Sequence, residues 1–274
     1  MTYRDVLVHM SRDGRTPARL DAAIGLAERC SGRVTGAYVL PFPSLPTYAG
    51  SFEIPDDVLE DVSRKQREWA ADAERAFAER MAKTAVSSEW RLLAGEPTQA
   101  ITKSAHCADI TIVGQTDPED SRSISGLADG VVLSAGGPVL VWPCAGSFGV
   151  DPVTVMLAWN GSREARRALA DALPFLKRAG KVIVFGIDEG DSKRIEVTDV
   201  SAHVARHGVN VESMHTVASF GSDAGGLLLS AVSDVGAELL VMGAYGHRRM
   251  RELLLGGATR DILREMTVPV LMSH

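Results

Sequence analysis

The chain repeats itself, and that constrains its fold more than any other feature. Tyr3-Arg-Asp-Val-Leu-Val-His-Met10 leads through a polar stretch to a helical pattern over Ala18 to Arg29, then to Gly32 and the apolar run Val34 to Leu40. Later, Val153-Thr-Val-Met-Leu-Ala158 leads through Trp159-Asn-Gly-Ser162 to a helical pattern over Ala165 to Leu173, then to Gly180 and Val182 to Ile187. The ends match as well. Ala108-Asp-Ile-Thr-Ile-Val-Gly114 resembles Ala237-Glu-Leu-Leu-Val-Met-Gly243, and Gly137-Pro-Val-Leu-Val141 resembles Val268-Pro-Val-Leu-Met272. The offset is roughly 147 residues at the front and roughly 130 at the back, so the first copy carries extra residues in its middle. They fall in the Pro/Ser/Gly-rich stretch Pro41 to Pro55 and in the long helix expected after it.

Short apolar runs alternating with helical patterns are the signature of parallel strands with helical crossovers. The expected fold class is α/β: two tandem doubly wound, Rossmann-like domains, each a five-stranded parallel sheet with helices on both faces. The domains are placed at 1–143 and 151–274, joined by a Pro/Gly/Ser-rich linker from Pro143 to Pro152. In the second, strands are predicted near 153–159, 181–187, 209–216, 238–243 and 269–272, and helices near 163–178, 193–207, 223–235 and 258–266. Ser162 suits the N-cap of the first of these helices. Gly95-Glu-Pro97 reads as a turn opening a helix, with Pro at its first position. In the first domain, Val58, Val62, Trp69, Ala73 and Phe77 recur at helical spacing, and Trp69 and Phe77 are read as core rather than as a ligand box.

The function classes narrow by exclusion. Net charge is -6, so no whole-protein basic footprint for nucleic acid exists. Neither a signal-peptide core nor the roughly 18 apolar residues of a membrane span occurs, so the expected setting is the cytoplasm, with no membrane partner. Cys30, Cys107 and Cys144 lie far apart and form no C-x-x-C pair. No Walker A sequence, Gly-x-Ser-x-Gly elbow or strict Gly-x-Gly-x-x-Gly after a first strand is present, which disfavours a P-loop motor, an α/β-hydrolase and a nicotinamide dehydrogenase. His203 and His207, four apart, could share a metal, but no third ligand is evident. His9 is expected to be packed within the first strand. His106, before Cys107 and Asp109, is read as a helix-end residue rather than a catalytic one.

In doubly wound sheets ligands bind beyond the carboxyl ends of the strands. There the second copy reads Gly243-Ala-Tyr-Gly-His-Arg-Arg-Met-Arg-Glu-Leu-Leu-Leu-Gly-Gly-Ala-Thr259, which is Gly-x2-Gly-x9-Gly running into a helix start near Ala258. The glycines permit tight turns and close approach. A helix N-terminus offers unpaired N–H groups and a positive dipole end, which suit phosphate. The alternative is a glycine-rich turn that only closes the fold.

In Gly243 to Thr259, in Val268-Pro-Val-Leu271 and in Trp159-Asn-Gly-Ser162, the chain resembles the universal stress protein family in its tandem form. The resemblance covers nearly the whole chain. It implies an adenine nucleotide, ATP, ADP or AMP, with or without Mg2+. It also implies roles by position: Ala158, Trp159 and Asn160 along the adenine and ribose, and Ile187 flanking the base. Met242, Gly243, Tyr245 and Gly246 would shape the ribose and phosphate side, and Gly256, Gly257, Ala258 and Thr259 would hold the phosphates. Two departures stand out: Asn160 where the family often has Asp, and Gly257 where it often has Ser or Thr.

The first copy differs. Gln115, Thr116 and Asp117 follow Gly114, and Asp117 stands in the place of Gly246, where it would repel phosphate. The first domain is therefore expected to be a degenerate, structural partner, paired with the second across the final strands. The tandem form is read as an intramolecular pseudo-dimer, with a homodimer of the whole chain as a further expectation. The function expected is a stress-response sensor or regulator; the rival readings are a slow ATP hydrolase and a dimeric scaffold without nucleotide. Hydrolysis would need a group to orient water and, as a rule, a metal. Asp188, Glu189 and Glu252 are the carboxylates considered for that metal.

Overall fold

The structure, a computed structural model, describes residues 2–41, 56–189, 197–218, 223–246 and 257–274. In chain order the first copy comprises β1 (Asp5–Met10), α1 (Thr16–Cys30), β2 (Arg33–Leu40), α2 (Asp56–Met81), β3 (Ser87–Ala94), α3 (Pro97–Ala105), β4 (Ile110–Gly114), α4 (Leu127–Ser134) and β5 (Val139–Trp142). The second comprises β6 (Thr154–Trp159), α5 (Arg163–Leu176), β7 (Lys181–Glu189), α6 (Val197–Ala205), β8 (Val211–Ala218), α7 (Ala224–Asp234), β9 (Leu239–Gly243), α8 (Ala258–Glu265) and β10 (Val270–Ser273).

Each copy is a parallel sheet in which the first strand is central, flanked by the second and the fourth. The two sheets are continuous. The order is β3-β2-β1-β4-β5-β10-β9-β6-β7-β8, and β5 meets β10 antiparallel with Val270 opposite Val141 and Met272 opposite Val139. The final strands therefore do form the junction, and they form it as one hydrogen-bonded sheet rather than as two packed ones. The strand flanks explain the apolar runs. Val6 and Val8 face a core that includes α1 and α2, whereas Leu7 faces the opposite core with α3 and α4. A strand covered on both faces has no polar side. The edge strands are less covered, which leaves Leu92 of β3 and Met214 and Val217 of β8 exposed.

Local signals act where the sequence carries them. Ser162 Oγ accepts the Ala165 amide at 3.1 Å and caps α5. Glu96 accepts the amides of Thr98 and Gln99, each at 2.8 Å, with Pro97 in the first turn of α3. His106 is the C-cap of α3, and its Nε2 lies 3.2 Å from the Ser134 carbonyl oxygen. One expectation holds only in part. Of the two α2 aromatics read as core, Phe77 is buried, but Trp69 is only partly buried and lies under the Arg12 guanidinium, 3.5 Å from its ring centroid, and Val58 and Val62 nearer the helix start are exposed. A helix of 26 residues spans about 39 Å, longer than the eight-residue strands it crosses, so its first turns overrun the sheet.

Side chains fasten the junction. The Tyr3 hydroxyl donates across it to the Asp171 carbonyl, and within the second copy Ser273 Oγ holds the Asp171 carboxylate at 2.9 Å. Gln115 Nε2 donates to the Arg264 carbonyl at 2.9 Å, and Arg29 Nε meets Asp151 at 2.6 Å.

Candidate functional site

In the second copy, β6 lies between β9 and β7, so the chain's crossovers diverge at the β6–β9 boundary. That boundary is the switch point where open parallel sheets leave a crevice. Four segments converge there.

The first leaves β6. Ala158 and Trp159 are partly buried, and Asn160 is exposed. Asn160 Oδ1 accepts the Ser162 amide at 3.1 Å, and Gly161 between them has φ +71. This local turn delivers Ser162 to the start of α5. The second is Ile187 on β7, paired opposite Thr216 of β8 and packed against the α7–α8 core.

The third leaves β9. Met242 is buried, and Gly243 and Gly246 lie hard against α5. A Cβ on Gly243 would stand under 3.0 Å from the backbone of Glu164 and Ala165. One on Gly246 would stand 2.8 Å from Glu164 Oε2 and 3.0 Å from Ser162 Oγ. Both glycines thus serve first to bring the β9 exit against the α5 N-terminus. Tyr245 between them has φ +55, in the left-handed region. Its hydroxyl donates to Asp129 Oδ1 at 3.1 Å. Burial and the Asp129 charge both push its phenol pKa well up.

The fourth begins α8. Gly257 is its N-cap with φ +135, and no side chain caps the helix. Helices α3, α5 and α7 carry side-chain caps from Glu96, Ser162 and Asp223, whereas α1 and α4, the latter with Gly126 at its N-cap, are uncapped like α8. Ala258 is partly buried and Thr259 buried. Thr259 Oγ1 accepts the Tyr245 amide at 3.2 Å, which ties the third segment to the fourth; a hydroxyl that accepts one bond keeps its own proton as a donor. Gly256, together with His247 to Leu255 before it, lies outside the described residues.

Sequence reasoning passed over Glu164. Its side chain is buried beside Gly246, with Oε1 2.9 Å from Arg163 Nη2. Burial opposes its ionisation, but hydrogen bonds from its own backbone amide and from Arg163 outweigh that and set its pKa below the ordinary value. It therefore stands ionised at the start of α5, and a second anion is better received at the uncapped start of α8. An acidic residue in a first helical turn ordinarily reads as a dipole partner, so nothing in the sequence set it apart.

Of the carboxylates considered for a metal, Asp188 is buried and lies 3.3 Å from His215 Nδ1. Glu252 and the Glu189 side chain lie outside the described residues. Among the described residues, no group of three or more His, Cys, Asp or Glu could hold a metal ion. His203 and His207 bring their rings to 5.1 Å, with the half-buried His203 at the end of α6.

The first copy is built differently at the same place. Counting from the ends of β1 and β6, Ser11 and Asp13 stand where Asn160 and Ser162 do. Arg19 reaches up from α1 and is 1% exposed. It donates to both Asp13 carboxylate oxygens at 2.9 Å and to Ser11 Oγ and Thr16 Oγ1 at 2.8 Å. The polar groups of this strand exit are thus consumed internally. Asp117, opposite Gly246 in the repeat, accepts the Glu119 amide, and Asp120 accepts the Gly14 amide at 3.3 Å.

The universal stress protein family model matches residues 153–274, the whole of the second copy. A universal stress protein of Mycolicibacterium smegmatis is 34% identical over 124 residues, covering 45% of this chain and 91% of that protein. The crystal structure of a universal stress protein from Archaeoglobus fulgidus is 18% identical with a TM-score of 0.76, covering 98% of this chain and 95% of that one. A functionally unknown protein from Pseudomonas aeruginosa PAO1 follows at 14% identity and a TM-score of 0.61, with 99% and 92% covered. Those two likenesses extend the shared fold over both copies. No described helix is long and apolar enough to cross a membrane. With the repeated doubly wound sheet, the glycine-framed exit of β9 and a relative aligned over nearly its full length, the chain belongs to the universal stress protein family.

Proposed function

We propose that the second copy binds an adenine nucleotide (ATP, ADP or AMP) at the carboxyl ends of β6, β7 and β9, and that the bound state serves as a signal in a stress response. The observation that carries this reading is the start of α8: a buried Thr259 with a hydroxyl proton to give, behind an uncapped helix N-terminus framed by Gly257. That end supplies the N–H donors and dipole that phosphate needs. The β6 exit, with Trp159 partly exposed and Asn160 open to solvent, supplies a face and a hydrogen-bonding group for base and ribose.

The first copy is the structural partner in this reading. Its β1 exit is closed by the Arg19–Asp13 network, so its polar groups are not offered to a ligand. The pseudo-dimer it makes with the second copy is the functional unit.

The test is to release and identify any nucleotide from freshly purified protein, then to titrate ATP into the stripped chain and into Gly246→Asp. That substitution places a carboxylate beside Glu164, where like charge and crowding oppose an anionic ligand. Saturable ATP binding that the variant loses supports the reading. No heat of binding and no released nucleotide would overturn it and leave the glycines as a packing device.

A further inference from the structure

We propose that Asp129, on the first copy, is a positioning residue for the nucleotide site of the second, acting through Tyr245; this rests on the reading above. The two residues lie 116 positions apart in the chain, and their side chains meet across the junction, where α4 and α8 share one core. Tyr245 is one of only two non-glycine residues with positive φ among those described, the other being the helix-capping Ser31. A bulky side chain does not hold the left-handed region unaided, and such a conformation persists only where its surroundings dictate it.

Two hydrogen bonds dictate it here. The hydroxyl is anchored to Asp129 at 3.1 Å, and the amide to Thr259 Oγ1 at 3.2 Å. The His274 ring stands edge-on to the Tyr245 ring at 6.3 Å, and its Nδ1 lies 3.0 Å from the Ala244 carbonyl oxygen. Asp129 is thus the contribution of the first copy to the geometry that links the β9 exit to the phosphate-facing turn of α8. Released from Asp129, Tyr245 would relax toward an ordinary backbone conformation. The Gly246 amide would move with it, and Thr259 would lose its partner. The first copy, with its own strand exit closed, would thereby keep a role in binding.

The experiment is calorimetric titration of ATP into the full chain and into Asp129→Ala, Tyr245→Phe, the double variant and Asp129→Asn. Each of the first two should bind about tenfold more weakly, the loss expected when one charge-assisted hydrogen bond no longer holds the site. The double variant should bind no more weakly than either single one, because both remove the same link. Asp129→Asn, whose amide oxygen still accepts from the phenol, should restore most of the affinity. Wild-type affinity in Asp129→Ala, additive losses in the double variant, or failure of Asp129→Asn to rescue would overturn this assignment alone. A wild-type chain that binds no ATP would overturn the nucleotide reading and this role with it.

Discussion

The Arg19 guanidinium lies directly over Gly114, so that a Cβ on that glycine would stand under 3.0 Å from Nη1. The matching glycine of the second copy, Gly243, meets the backbone of α5 instead. Counting from the ends of β1 and β6, the residue in the place of Arg19 is Ala168, which is wholly buried. The two copies therefore fill one gap between the first helix and the fourth strand in two ways. The first inserts an ion-paired arginine; the second closes helix onto strand.

The difference predicts unequal costs for one substitution. Gly243→Ala confronts backbone atoms that can yield only if α5 moves, and should cost about 2–4 kcal/mol. Gly114→Ala confronts the far end of a side chain, which can shift, and should cost about 1–2 kcal/mol. Urea midpoints of the two variants against wild type would show the order, and equal losses would contradict it.

The Arg19–Asp13 pair predicts both a mutational and a pH effect. Burial would raise the Asp13 carboxyl, but the charge and hydrogen bonds of Arg19 prevail and hold its pKa at about 2, below its ordinary 3.8. A lowered carboxyl stabilises the fold above its unfolded value, and that stability is lost as pH falls from near 4 toward 2. Asp13→Ala strands a buried cation and should cost about 3–5 kcal/mol at neutral pH. Adding Arg19→Met should recover part of that loss, because the unpaired charge goes with it. A double variant no more stable than Asp13→Ala would refute this account.

How far the sequence spoke depended on whether its signals were local. Runs such as Val139 to Trp142 and Leu239 to Gly243 announced strands because both of their faces are buried. Ser162 and Pro97 announced helix starts because capping acts over three residues. Of the spacing Gly243, Gly246 and Gly256, the first two pack against the start of α5, and Gly256 lies outside the described residues. Long-range facts were hidden. Arg19 reads as an ordinary solvent-facing residue on an Ala-rich helix, and only the approach of Gly114 and Asp13 makes it a core residue. Tyr245 and Asp129 carry no mark of one another. The stripe on α2 misled because periodicity reports one face of a helix, not how far the sheet beneath it extends.

His9 predicts a second pH dependence, in a different window. Its ring is 3% exposed, and burial, followed by the nearby Arg19 charge, pushes its pKa down to about 3 from an ordinary 6.5. The unfolded chain takes up a proton below pH 6.5, and the folded chain does not until near 3. Stability should therefore fall as pH drops across that interval, from this residue alone. His9→Met should flatten the limb between pH 6 and 4 and leave the steeper loss below pH 4 to Asp13. An unchanged slope in the variant would show that the ring is protonated in the fold.

The continuous sheet predicts how the molecule unfolds. Two domains joined only by a linker would melt in two steps, each with its own midpoint. Here β5 and β10 pair through fully buried residues, Val141 opposite Val270 and Leu140 opposite Leu271, and neither copy can lose its last strand without exposing an edge of the other. A single calorimetric transition is expected. Tyr3 tests the coupling without disturbing the sheet. Its ring is buried against Phe175, with centroids 5.7 Å apart, and its hydroxyl donates to the Asp171 carbonyl of the other copy. Tyr3→Phe keeps the ring packing and removes only that donor, which should cost about 1–2 kcal/mol. Because the bond joins the copies, the loss should lower the one transition as a whole. A melt that splits into two in the variant would mean that this hydrogen bond, not the strand pairing, couples the halves. A wild-type melt already in two steps would mean that neither does.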